Sequence, residues 1–212
     1  IICVGDGIHS EGRAYDRWLS SYDDFQKGVY AGSSMQEEMI ENLVTMEIVI
    51  TLKKYFSSSF HFLKGNHENI LNEDGNGNLP FRKFAQEGCM VKRFVHQVFG
   101  EAVLYLIDCW EKSLPLCALF KNFAISHAEP AFVFSKDKLI NYKENPDVIH
   151  ALTWTSNDTA AQNSVYKLLK EFSLDIDDEN YFWIGGHRPV EGKYELRQDG
   201  HYIQIHNPNE MN

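Results

Sequence analysis

Apolar residues open the chain without a polar lead-in, Ile1-Ile2-Cys3-Val4, and the run stops at Gly5-Asp6-Gly7. A buried strand is predicted there, followed by a polar, aromatic, loop-like stretch over residues 8–31. Met35, Met39, Leu43, Met46 and Ile50 then recur at helical spacing, and Ser34-Met35-Gln36-Glu37 has the form of a capping box. The pattern predicts a helix to about Tyr55, with its methionines filling core. After Ser57-Ser58-Ser59 comes a second buried strand, Phe60-His61-Phe62-Leu63, which ends at Lys64-Gly65-Asn66-His67-Glu68. Strand, helix, strand implies two neighbouring parallel strands.

Further along, residues 69–78 read as a loop rich in Asn, Gly and acid. A calcium loop there would need Gly at its sixth position and Glu at its twelfth, where Leu79 and Ala85 stand. Helix is expected over residues 81–99, a strand over 103–107, and one or two strands over 116–125 with a turn near Lys121-Asn122. These end at Ser126-His127-Ala128-Glu129. An irregular segment over 132–152 contains a short helix near 147–152. Thr159-Ala160-Ala161-Gln162 again has capping-box form, ahead of a helix whose apolar face is Val165, Leu168, Leu169 and Phe172. An acidic loop over 175–180 leads to the strand Tyr181-Phe182-Trp183-Ile184, which ends at Gly185-Gly186-His187-Arg188. A final hairpin pairs Tyr194-Glu195-Leu196 with Tyr202-Ile203-Gln204-Ile205 around Asp199-Gly200.

Composition narrows the class. The 212 residues suit one domain with a substantial core, spanning 1–212. A net charge of −10 argues against broad nucleic-acid binding, which needs a basic face. Cys3, Cys89, Cys109 and Cys117 have no CxxC spacing and sit in or beside apolar sequence, as reduced core thiols of a cytoplasmic protein would. No apolar run has the ~18 residues of a membrane span, and no membrane partner is expected. A chain that starts inside a strand, with no initiator Met, reads as a fragment truncated at its N-terminus.

One arrangement recurs four times: an apolar strand, a small residue, then a metal-capable side chain. It delivers Asp6, Asn66 with His67, His127 and His187. Ligands collect outside the carboxyl ends of strands in α/β sheets, so these residues are expected to share a site. A carboxylate, an amide oxygen and two imidazoles suit a borderline divalent cation such as Mn, Fe or Zn. Such an ion activates water and stabilises a phosphoryl-transfer transition state, which makes phosphoester hydrolysis the natural chemistry. A carboxylate is also the group best able to bridge two ions. His67, beside Asn66, is placed to protonate a leaving oxygen. Arg13 and Arg188 are the cations best located to hold phosphate oxygens.

Gly5-Asp6, Gly65-Asn66-His67-Glu68, Ser126-His127 and Gly186-His187 resemble, in order, the motifs of the calcineurin-like metallophosphoesterases. The resemblance is closest to the phosphoprotein phosphatase branch. Residues 152–158 are similar to that branch's Leu-Trp-Ser-Asp-Pro segment, and 205–209 to its closing strand and Ala-Pro-Asn turn. The resemblance implies an α+β fold, a β-sandwich flanked by helices (α/β/β/α), with two divalent metals at one edge. Asp6 would bridge the metals, while Asn66, His127 and His187 would complete the second site. His67 would be the general acid of a phosphatase acting on a phosphoprotein, nucleotide or small phosphoester. The family's first motif, Asp-x-His on a preceding strand, would lie upstream of Ile1. Asp199-Gly200-His201 has those letters but precedes a strand, and reads as a hairpin turn. His9 stands where the family's acid would orient His67, Arg13 is displaced, and Ala128-Glu129 replaces Gly-Gly. These departures also admit a second reading, a catalytically weak phosphate- or metal-binding regulatory module.

Overall fold

In the computed structural model, which describes residues 1–172 and 181–207, the apolar start forms β1 (Ile2–Cys3). The stretch ahead of Asn66 forms β2 (His61–Phe62). The two pair in parallel, Ile2 opposite His61 and Cys3 opposite Phe62, as the strand–helix–strand order requires. Residues 8–31, expected as loop, instead hold a 3-10 turn at Gly12–Ala14 and helix α1 (Tyr15–Gln26). Ala14 at the end of the turn and Trp18 and Ser21 in the helix are the buried positions, at helical spacing. One of them is small and one polar, so a search for apolar period misses the helix.

Helix α2 (Ser33–Tyr55) has the predicted extent, but its buried stripe is Met35, Met39, Asn42, Met46 and Val49. Alternating steps of four and three keep that stripe on one face, and Ile50 falls beside it. Gly32 occupies the N-cap without a side-chain cap. The hydroxyl of Ser34 donates to Ser20 Oγ instead of closing a capping box.

Packing of the backbone divides the chain into two compact units. The first comprises residues 1–62, 67–74 and 79–114; the second comprises 63–66, 75–78 and 115 onward. In the first unit, α3 (Glu87–Phe99) starts six residues later than residue 81, because the Glu87 carboxylate turns back on the chain before it. It accepts from the amides of Lys83, Phe84 and Ala85 at 3.0, 2.6 and 3.1 Å. The strand expected over 103–107 is part of helix α4 (Glu101–Glu111). Leu104, Ile107, Asp108 and Glu111 are its buried face, a spacing only a helix produces. Trp18, Met35, Met39, Met90, Phe94 and Leu104 belong to the main core of this unit.

The second unit is built on a five-stranded mixed sheet. Its members are β3 (Cys117–Leu119), β4 (Phe123–Ser126), β5 (Phe182–Gly185), β6 (Glu195–Arg197) and β7 (Tyr202–Gln204), in the order β3-β4-β5-β7-β6. The first pair is the hairpin expected around Lys121-Asn122, and the last is the hairpin around Asp199-Gly200. Gln198, Asp199 and Gly200 all have positive φ, as a tight turn requires. Helices α5 (Lys136–Ile140), α6 (Pro146–Thr153) and α7 (Ser164–Glu171) complete the unit. The α7 face of Val165, Leu168, Leu169 and Phe172 is buried as predicted. Its N-cap is Asn163 rather than Thr159, whose hydroxyl donates to the Ser156 carbonyl. The acidic loop over 175–180 and residues 208–209 lie outside the described residues.

All four cysteines are free thiols; Cys3, Cys89 and Cys117 are half-buried and Cys109 is exposed, rather than all lying in core. Burial pushes the Cys117 thiol up to about 12, so it stays protonated and unreactive at neutral pH. No helix among the described residues is long and apolar enough to cross a membrane.

Candidate metal and phosphate site

Within the second unit, β4 and β5 run parallel in a register that sets Ile125 beside Ile184. Both strands therefore end side by side, and their next residues, His127 and Gly186-His187, leave from the same end. The Gly186 amide donates to the His127 carbonyl at 2.7 Å, which ties the two exits together. The Arg188 amide then donates to the Gly186 carbonyl at 2.8 Å, closing a three-residue turn about His187, whose φ is +64°. A γ-turn with positive central φ is rare and strained for a residue with a side chain. Such strain is found where surrounding structure holds a residue for a purpose. Gly185, just before it, has no room for a Cβ, which would sit 2.4 Å from the Tyr202 hydroxyl and 3.1 Å from the Ser126 carbonyl.

The result is a convergence of three donor atoms. Asn66 Oδ1 lies 2.9 Å from His127 Nε2 and 2.9 Å from His187 Nδ1, and the two nitrogens are 3.2 Å apart. Asn66 and His127 are buried. Two ring nitrogens aimed at one amide oxygen cannot both point N–H at it without crowding each other. Three lone pairs around a cation remove that conflict. For metal–ligand bonds of about 2.1 Å, adjacent octahedral ligands lie about 3.0 Å apart, so the donor set fits a divalent ion in both chemistry and size. The Trp154 ring stands edge-on to His187, with centroids 6.3 Å apart.

In the first unit, Asp6, His67 and Glu68 interlock. The Glu68 carboxylate accepts from the amides of Asp6 and Gly7 at 3.0 and 2.8 Å, and the Asp6 carboxylate accepts from the His67 amide at 3.2 Å. Asp6 itself has φ +61°, in the left-handed region like His187. Glu68 thus orients its neighbours through their backbone. The His67 ring is buried, with Nδ1 2.8 Å from the Ile8 carbonyl oxygen and Nε2 3.6 Å from Asp6 Oδ2. A carbonyl oxygen only accepts, so Nδ1 carries a fixed proton and Nε2 is the position where a proton is gained or lost. His9, which stands at the place of the family's orienting acid, makes no hydrogen bond to His67. Its ring meets His67 edge-on and stacks on Phe81, with centroids 5.4 and 4.9 Å apart.

The two arginines are held differently. Arg13 is 75% exposed at its side chain and is paired with Glu41 at 2.7 Å. Arg188 is exposed on the residue after His187 and donates to Ser156 Oγ at 2.7 Å. His201 is stacked on Tyr181 at 3.9 Å between ring centroids, with Nδ1 3.1 Å from the Tyr181 carbonyl, a hairpin residue as expected. Sequence reasoning missed the Ile8 carbonyl, because a backbone acceptor has no letter of its own.

No protein-family model and no curated protein matches the chain. Among solved structures, the chain is similar to a protein serine/threonine phosphatase from Saccharomyces cerevisiae with similarity to human phosphatase PP5. The likeness covers 98% of this chain and 67% of that one, with a TM-score of 0.55 and 16% identity. The chain thus has a phosphoprotein-phosphatase fold, mixed α+β, as the order of its motifs implies.

Proposed function

We propose that the protein is a metal-dependent phosphoesterase, hydrolysing a phosphomonoester or phosphoanhydride at a dinuclear site. The observation that carries the proposal is the meeting of Asn66 Oδ1, His127 Nε2 and His187 Nδ1 within 3.2 Å at the ends of β4 and β5. These three residues, together with Asp6, would hold Mn, Fe or Zn. Bound divalent metal supplies an activated water and offsets charge on the phosphoryl oxygens.

The chain's own residues do the rest. Asp6 is kept in place by the His67 amide, and His67 is the residue joined to ligand Asn66, so ligand and acid are set by one stretch of backbone. Protonated His67 gives up the Nε2 proton to the departing oxygen while its Nδ1–H stays donated to the Ile8 carbonyl. Arg188 reorients from Ser156 to hold a phosphate oxygen, and Arg13 would have to leave Glu41 to do the same. That engagement of Arg13 favours the second reading, a weakly active phosphate- or metal-binding module, in which phosphate is held by Arg188 alone.

Turnover of p-nitrophenyl phosphate with added Mn tests the proposal. Asp6→Asn and His187→Ala should each lower kcat/KM by at least about 100-fold, while His201→Ala should change it less than about threefold. Comparable losses from all three would reject the assignment. Metal binding without turnover, in wild type, would favour the regulatory module.

A further inference from the structure

Resting on the reading of His67 as the proton donor, we propose that Glu38 and Asn42 of α2 are positioning residues for it. They act by gripping the peptide group that carries its acceptor. The Ile8–His9 peptide is a rigid plane with its C=O and N–H pointing in opposite directions. Its oxygen lies 2.8 Å from His67 Nδ1, and its N–H donates to Asn42 Oδ1 at 2.5 Å. Asn42 therefore sets the direction in which the Ile8 carbonyl points. Accepting at one end of a peptide also polarises it and strengthens its oxygen as an acceptor.

Asn42 is itself fixed. Its Nδ2 donates to the Glu38 carbonyl and to Glu38 Oε1, both at 2.6 Å. The same Oε1 accepts from the Ser10 amide at 2.9 Å, so two successive amides of the loop are held by one turn of α2. The Trp18 indole closes the loop from the other side, donating to the Ser10 carbonyl at 2.7 Å. Arg17 holds the second Glu38 oxygen, with Nε at 2.9 Å, and balances the buried charge. Glu38, Asn42 and His9 are all buried, and His9 is kept at φ +62°. A left-handed non-glycine residue is strained, and the paired amides of His9 and Ser10 offset that strain. The chain thus orients its acid by backbone, from a buried polar pair on α2.

General-acid catalysis matters most when the leaving group is poor, and this separates positioning from generic damage. Asn42→Ala should lower kcat on phenyl phosphate by about 10- to 100-fold and on p-nitrophenyl phosphate by less than about threefold, with KM unchanged. In a His67→Ala background, Asn42→Ala should cost nothing further. Equal losses on both substrates, or additive losses in the double variant, overturn the proposal. If wild type has no turnover, the functional reading has failed by itself. The positioning is then judged by nitrogen-15 NMR of His67: a protected Nδ1–H in wild type that becomes exchangeable in Asn42→Ala supports it, and an Nδ1–H that is unprotected in wild type or unaffected by the substitution rejects it. Should Asn42→Ala fail to fold, Glu38→Gln, which keeps the side-chain volume, carries the same comparisons.

Discussion

His9 is a buried imidazole whose two ring nitrogens make no hydrogen bond among the described residues. Burial, then the neighbouring His67, hold it well below its ordinary value, against a smaller opposing pull from Asp6. It is therefore neutral in the folded protein and protonates in the unfolded chain once pH falls below about 6.5. The unfolded state then binds the extra proton, so stability is lost as pH drops from 6.5 toward the folded value, at up to about 1.4 kcal/mol per pH unit. His9→Phe keeps the stack on Phe81 and removes two unpaired nitrogens. It should gain about 1 kcal/mol at pH 7.5 and more at pH 5.5, measured by urea unfolding. Parallel pH dependence in the two proteins would show that His9 is not the group responsible. At this scale the side chains of the site were legible because each follows an apolar strand and a small residue. His127 and His187, two of these residues, meet on a third, Asn66. What holds His67 was not legible, since His9 stands in place of the family's orienting acid and the partner is a backbone oxygen.

Helix α2 shows how far periodicity carries at the scale of an element. Its limits follow from the apolar repeat, yet the repeat misassigned one turn: Val49 is 8% exposed and Ile50 43%. Adjacent β-branched residues look alike in a window, and only the step pattern set by buried Asn42 decides which faces inward. Val49→Ala should cost about 2 kcal/mol in chemical denaturation. Ile50→Ala should stay within about 0.5 kcal/mol. Equal costs would mean that the helix is rotated about its axis. The same ambiguity made residues 103–107 read as strand, because Val, Leu, Tyr, Leu and Ile in sequence satisfy either period. Asp108 and Glu111 settle the matter in the fold, since Glu111 is drawn inward to accept from the Ile70 amide at 2.7 Å. Polar residues that reach outside their helix to hold a loop amide are invisible to a hydrophobic pattern, and α3 and α4 both contain one, Glu87 and Glu111.

For the whole molecule, the proposed metal binding would be linked to folding. Asn66 and His67 are consecutive but belong to different compact units, so a cation held by Asn66, His127 and His187 stabilises the second unit where its chain joins the first. A ligand that binds only the native state at 100 times its Kd adds about 2.7 kcal/mol. For a chain of this size that is roughly a 5–10 °C rise in melting temperature. The net charge of −10 would draw any divalent cation weakly to the surface, so the rise alone is not diagnostic. The donor set makes the distinction: two imidazoles and an amide oxygen favour Mn or Zn over Ca at equal concentration. Scanning calorimetry should therefore show a rise of this size with Mn or Zn, little with Ca, and its reversal by chelator. Asn66→Ala should abolish the difference between metals while leaving the small effect common to all of them. An equal rise with Ca, or a Zn effect that survives Asn66→Ala, would assign the stabilisation to surface charge rather than to the convergence at the ends of β4 and β5.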